Sequence, residues 1–111
     1  MREQVWRDGE DAALADYLER GYRLLARNWS CRIGELDLVF ERDGVLVVCE
    51  VKARRGSVLG GPHESVTPAK QRKLRALTQV YLATTRARPR GIRFDVASVT
   101  GTRIHVFEDA F

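Results

Sequence analysis

The chain has 111 residues, 44% of them hydrophobic and 31% charged, which fits one globular domain and argues against disorder. Its formal net charge of +4 is unevenly spread: residues 1–50 carry 7 basic and 11 acidic side chains, and residues 51–111 carry 12 and 4. No apolar run approaches the ~20 residues of a membrane span, and the first residues lack the apolar stretch of a signal peptide.

Two cysteines, Cys31 and Cys49, show no Cys-x-x-Cys spacing and cannot build a metal cluster alone. A reduced, cytoplasmic protein without membrane attachment is therefore expected. No repeat or Pro/Gly-rich linker divides the sequence, so residues 1–111 read as a single domain.

In chain order, Asp8 is placed to cap a helix over about 9–20, with Gly21 to end it. Ala13, Leu14, Tyr17 and Leu18 would form its apolar stripe. Tyr22–Arg27 suits a short strand. Leu36–Phe40 and Val45–Val51 are clearer strands, joined by Asp43-Gly44, a strong hairpin-turn pair. A glycine-containing loop over Arg54–Ser65 follows. Thr67-Pro68 supplies a cap and a first-turn proline for a helix reaching about Thr84, with Leu74, Leu77, Val80 and Tyr81 inward. Ile92, Phe94 and Val96 alternate as a strand, and Thr100-Gly101 turns into a last strand around Arg103–Phe107. The order helix–three strands–helix–two strands predicts an α/β domain with a central mixed sheet.

The hairpin carries the chemistry. With Asp43 and Gly44 as its turn residues, Arg42 faces Val45 and Asp37 faces Glu50. One face then holds Leu36, Leu38, Phe40, Val47, Cys49 and Val51, all apolar. The other holds Glu35, Asp37, Val39, Leu46, Val48, Glu50 and Lys52, charged at the end away from the turn. Two carboxylates facing each other across a ladder repel, and a hard cation would reverse the sign. The plainer reading is a solvated sheet end with ion pairs.

Glu10 adds a third acid, on the stripe shared by Leu14 and Tyr17, although it also suits a first helical turn electrostatically. Lys70 stands in the same relation to Leu74, Leu77 and Tyr81, with a snorkelling lysine as the alternative. Lysine is scarce, only Lys52, Lys70 and Lys73 against sixteen arginines, so a lysine kept at position 52 suggests a need for a compact ammonium.

Asp37, twelve intervening residues, and Glu50-Val51-Lys52 in this order of elements resemble the PD-(D/E)xK nuclease superfamily. Gly9-Glu10, Gly34-Glu35-Leu36-Asp37, Glu50-Val51-Lys52, Lys70 and Arg93-Phe94-Asp95-Val96 further resemble its YraN-type bacterial family, itself similar to archaeal Holliday-junction resolvases. Leu36 stands where the superfamily's name has proline. The resemblance implies a restriction-endonuclease-like core in which Asp37, Glu50 and the Val51 carbonyl bind Mg²⁺ or Mn²⁺. Glu10 would complete that site directly or through water, and Lys52 would orient or activate the attacking water. It also implies a homodimer, since resolvases act as symmetric pairs.

The residues themselves make the chemistry coherent, because phosphodiester hydrolysis needs a cation to lower the pKa of water and clamp the developing charge. Carboxylates suit Mg²⁺ or Mn²⁺. Arg54, Arg55, Lys70, Arg72, Lys73 and Arg75, with Arg86, Arg88 and Arg90 beyond them, could neutralise the phosphates of DNA, with RNA as an alternative. The competing expectations are a nucleic-acid-binding module on the same fold without catalysis, and an interaction protein whose acids are surface ion pairs. His63, beside Glu64, reads as a surface residue, His105 as structural and Cys49 as core.

Overall fold

A computed structural model describes residues 2–54, 66–101 and 103–111, with side chains described from Gly9 onward and, around the masked loop, through Ala53 and from Val66. The elements are α1 (Arg2–Glu19), β1 (Arg23–Cys31), β2 (Gly34–Arg42), β3 (Val45–Arg54), α2 (Pro68–Ala83), β4 (Gly91–Thr100) and β5 (Arg103–Phe107). The five strands form one sheet in the order β1-β2-β3-β4-β5. β3 and β4 run parallel and the other neighbours antiparallel. This is the expected mixed sheet, consistent with a restriction-endonuclease-like core.

The two helices cover opposite faces. Ala13 and Tyr17 of α1 pack with Leu38, Phe40, Val47, Cys49, Val51, Ala97 and Val99. Leu74, Leu77 and Tyr81 of α2 pack with Leu36, Val39, Leu46, Val48, Phe94 and Val96. The alternation along β3 and β4 is the two-residue period of a strand covered on both sides.

Local chemistry explains most boundaries. Asp43 and Gly44 adopt φ of 55° and 79°, the left-handed pair that a two-residue turn needs between twisted strands. The hairpin therefore pairs Arg42 with Val45 and Leu38 with Cys49, the register expected from the sequence. Thr67 caps α2 by accepting a hydrogen bond from the Lys70 backbone N–H at 3.2 Å, with Pro68 behind it.

Several expectations need correction. α1 starts at Arg2, so Asp8 lies inside the helix and does not cap it; residues 2–7 contain no glycine or proline to stop it earlier. Leu18 is exposed and the inner stripe is Ala13 and Tyr17. Thr78 is buried in α2 where Val80 was expected, its hydroxyl satisfied by the Leu74 carbonyl at 2.8 Å. β1 extends to Cys31, passing through Asn28 at a φ of 53°. β3 extends to Arg54; the rest of the expected loop, with Arg55, His63 and Glu64, lies outside the described residues. His105 is exposed on β5, its ring 4.2 Å from that of Phe107, and Cys49 is fully buried. No helix among the described residues is long and apolar enough to cross a membrane.

Candidate active site

The sheet splits at one end. β2 pairs with β3 only from the turn to Leu38 and Cys49, yet β2 stays paired with β1 to Gly34 and β3 with β4 to Arg54. Two prongs, β1–β2 and β3–β4, thus leave a fork between them, and Asp37, Glu50 and Lys52 stand at its mouth. Asp37 does not face Glu50 across a continuous ladder, as the simple register implied. Its Oδ2 instead accepts the Val51 backbone N–H at 2.9 Å, a donor that an unbroken hairpin would give to β2 backbone.

The pairing of β1 with β2 also skips a step here, from Arg27–Leu38 to Trp29–Leu36. The skipped position holds Asn28, in its left-handed conformation, and Asp37. Across it the side-chain alternation breaks: Leu38 joins the α1-side core, whereas Leu36 joins the α2-side core. The uniformly apolar face expected from Leu36 to Val51 is therefore interrupted at Leu36. The irregular step turns that leucine toward the apolar cover of Leu74 and Leu77.

Asp37 is 5% exposed, Glu50 6% and Glu10 1%, so three carboxylates are nearly withdrawn from water. Burial, then the charge of Glu50, pushes the Asp37 carboxyl up to about 7, against the Val51 N–H that favours its charged form; Glu10 and Glu35 add to the rise. Burial also raises Glu50, opposed by the charges of Lys70 and Lys52. Burial and the adjacent Lys70 ammonium lower Lys52. Burial works against the Lys70 ammonium too, but contact with Lys52 and the charge of Glu50 holds it above its ordinary value.

Lys70 Nζ lies 3.3 Å from Glu50 Oε1. The capped first turn of α2 thus delivers an ammonium directly onto a buried carboxylate. Glu50 Oε2 and Glu10 Oε2 are buried with no hydrogen-bond partner among the described residues. Such oxygens are costly in a dry site unless a cation or proton meets them.

Glu10 is held by two residues that the sequence did not single out. Its Oε1 accepts from Arg27 Nε at 3.3 Å and from Asn28 Nδ2 at 3.1 Å, and Arg27 also reaches Asp11 at 2.7 Å. Asn28 in a left-handed conformation was the one available signal, because asparagine tolerates it. Gly9 lets α1 approach closely: a Cβ there would lie 3.1 Å from Ala53 Cβ and 3.7 Å from Val51 Cγ1. Gly9→Ala is expected to cost about 1–3 kcal/mol by overpacking, read as a lower urea midpoint at unchanged slope.

The basic residues divide. Arg72, Lys73 and Arg75 are exposed on α2. Lys73 lies over Gly34 at the start of β2, where its Cε would stand 3.0 Å from an added Cβ. Arg75 lies over Phe94 and Phe111, 4.8 and 5.7 Å from their ring centroids. Arg90 is engaged in the hairpin turn, donating to the carbonyls of Gly44 at 2.9 Å and Asp43 at 2.7 Å. Arg55 and the Arg54 side chain lie outside the described residues.

Among the described residues no three acidic, histidine or cysteine side chains converge tightly enough to cage an ion on their own. What the fork offers is two neighbouring carboxylates, Asp37 and Glu50, with an unpartnered buried oxygen on Glu50. Hard oxygen donors of this kind fit Mg²⁺ or Mn²⁺, ions that keep several waters and take only one or two protein carboxylates.

Comparison with known proteins places this architecture. A family model described as an uncharacterised protein family, UPF0102, matches residues 9–99. A UPF0102 protein from Symbiobacterium thermophilum is 48% identical over 99 residues, covering 89% of this chain and 84% of that protein. One from Acidothermus cellulolyticus is 47% identical over 109 residues, covering 88% and 82%. One from Ralstonia nicotianae is 46% identical over 107 residues, covering 92% and 82%.

Proposed function

The chain belongs to the UPF0102 family, the YraN-type family related to PD-(D/E)xK nucleases, and from that premise we propose that it is a metal-dependent nuclease hydrolysing phosphodiester bonds in DNA, with branched DNA as its favoured substrate. The observation that carries this reading is the fork: two carboxylates buried side by side, with Lys52 and Lys70 against them. Repelling acids in a dry cleft are a poor way to hold a sheet together and a good way to hold a dication.

In this reading Asp37 and Glu50 hold Mg²⁺ or Mn²⁺, with the Val51 carbonyl as a further oxygen donor and Glu10 completing the site directly or through water. The ion supplies a water of lowered pKa and a clamp for charge on the phosphate. The Val51 N–H fixes the Asp37 carboxylate, and Arg27 with Asn28 fixes Glu10. Lys52, made easier to deprotonate by burial and by Lys70, would orient the attacking water or accept its proton. Lys73 and Arg72 lie exposed on α2 to meet backbone phosphates. A homodimer would present two such sites to a two-fold junction.

One observation favours a second reading. Lys70 already neutralises Glu50, which a binding module without catalysis could use in place of a metal. Cleavage of linear and four-way-junction DNA, with Mg²⁺ or Mn²⁺, separates the two. The expected result is metal-dependent cutting, reduced at least 100-fold by Asp37→Asn and by Lys52→Ala, in line with ~10²–10⁴-fold contributions of single catalytic groups. Salt-sensitive DNA binding without cutting by the unmodified chain would establish the binding module instead. No binding to either DNA would remove both.

A further inference from the structure

We propose that Lys70 is a resident counter-cation of the carboxylate pair, and that the divalent ion binds by displacing its ammonium from Glu50. This rests on the metal reading given above, and goes beyond it by assigning Lys70 a role in loading the site.

The geometry is asymmetric in a telling way. Glu50 is 6% exposed and held on a central strand, so its carboxylate cannot follow a departing partner. The Lys70 side chain is 37% exposed and sits 3.3 Å from Glu50 Oε1. Its backbone is fixed, because the Lys70 N–H is tied to the Thr67 cap. Displacement therefore needs only a rotation of the lysine side chain toward solvent, a fast and local event.

Electrostatics favours the exchange. An ion on Glu50 would stand beside the Lys70 ammonium, with Lys52 also close. Like charges that near one another on one buried carboxylate repel, and an ion at the unpartnered Oε2 would gain Oε1 as well once the ammonium leaves. Lys70, not Lys52, is the lysine in ion-pair contact with Glu50, so it is the one that an arriving ion meets. Without an ion, the ammonium keeps Glu50 from standing as an uncompensated buried charge. The site is thus closed by its own lysine until a dication replaces it.

Two measurements test this on the intact chain without reference to cleavage. The first is lysine acylation mapped by mass spectrometry, which the three lysines of the chain make simple to read. Adding Mg²⁺ is expected to raise labelling of Lys70 about fivefold, while Lys73 serves as the internal standard. The second is Mn²⁺ titration by calorimetry. Lys70→Gln should bind about tenfold more tightly than the unmodified chain, whereas Lys70→Arg, which keeps the charge, should not. Lys70→Gln should also melt at lower temperature without metal and recover at saturating Mn²⁺. If the unmodified chain binds Mn²⁺ but Lys70 labelling does not rise, the exchange is wrong and the metal reading survives. Equal or weaker Mn²⁺ binding by folded Lys70→Gln overturns it likewise. If neither chain binds Mn²⁺, the metal reading fails and the exchange with it.

Discussion

Asp95→Ala is expected to lower the melting temperature by about 15–30 °C, the largest loss of any single substitution considered for this chain. Asp95 is fully buried on β4 and accepts four hydrogen bonds. Its Oδ1 takes Arg93 Nε at 2.9 Å and the Asp109 backbone N–H at 3.0 Å. Its Oδ2 takes the Tyr17 hydroxyl at 2.6 Å and Arg93 Nη2 at 2.9 Å. Tyr17 in turn stacks on Phe40, ring centroids 4.3 Å apart, at the centre of the α1-side core.

Alanine would leave a guanidinium, a buried hydroxyl and a backbone N–H without their acceptor. Breaking a buried pair in this way costs about 3–5 kcal/mol, a large share of the ~5–15 kcal/mol that holds a domain together. Asp95→Asn keeps the shape but turns an N–H toward donors, so it should fall between alanine and the unmodified chain. Calorimetry checks the order, and a loss under about 1 kcal/mol for alanine would show the network to be dispensable.

Asp37→Asn should do the opposite: stabilise the metal-free protein at pH 8 while abolishing its proposed activity. The sign follows from the proton. Burial and Glu50 raise the folded-state carboxyl to about 7 from an ordinary 3.8, so the folded chain binds the proton more tightly than the unfolded one. The contribution of Asp37 to stability is therefore fully present below about pH 4 and is lost as pH rises to about 7. Asparagine resembles the protonated acid and escapes that loss. The two chains should melt together near pH 4 and separate by up to about 4 kcal/mol at pH 8, at roughly 1.4 kcal/mol per pKa unit. Lys52 and Lys70 also feel the Asp37 charge and Glu50 is coupled to it, so the difference between the chains reports Asp37 together with these neighbours. Millimolar Mg²⁺ should then erase the advantage, because only the carboxylate gains from the ion. A separation that does not vary with pH would refute this account.

The two results together describe a site that costs stability where it is charged, supported by a network elsewhere that supplies it. Proteins commonly carry strained or repelling groups where they act. Here the opposing parts sit on neighbouring positions of the same two parallel strands, Glu50 on β3 and Asp95 on β4, facing opposite helices.

How much of this was legible in the sequence depended on how local each cause was. Asp43-Gly44 specified the hairpin because few other pairs tolerate two left-handed residues, and the register of Leu38 with Cys49 followed. Thr67-Pro68 specified the start of α2 through a cap three residues long. Register put Asp37, Glu50 and Lys52 at one end of one hairpin face; helix spacing turned Lys70 inward, but its contact with Glu50 comes from how α2 lies on the sheet. The fork did not. It arises where the Asp37 side chain takes a backbone N–H fourteen residues away, which no period-two pattern encodes. The reversal of Leu36 has the same origin, in an irregular step at Asn28 that reads as ordinary strand interruption. Arg27 and Asn28 as holders of Glu10 depend on how α1 crosses β1, a matter of tertiary packing. Asp95 was visible only as part of a motif; Arg93, two residues away, supplies two of its four donors, but the others come from residues 17 and 109, distant in sequence.

That last distance has a consequence for synthesis. The strands follow one another in the sheet in the order they are made, so hairpins can form as the chain emerges from the ribosome. The Tyr17 hydroxyl, however, waits for Asp95, and Asp95 waits for the amide of Asp109. The first helix can rest on the nascent sheet but cannot be fastened until residues 95 and 109 have been translated. Until then the Tyr17 hydroxyl lacks its Asp95 acceptor and the network around Arg93 stays incomplete. The order of synthesis thus lets the hairpin of β2 and β3 precede the closing of this network, and a nascent chain stalled before Asp95 should present a first helix that a protease still cuts.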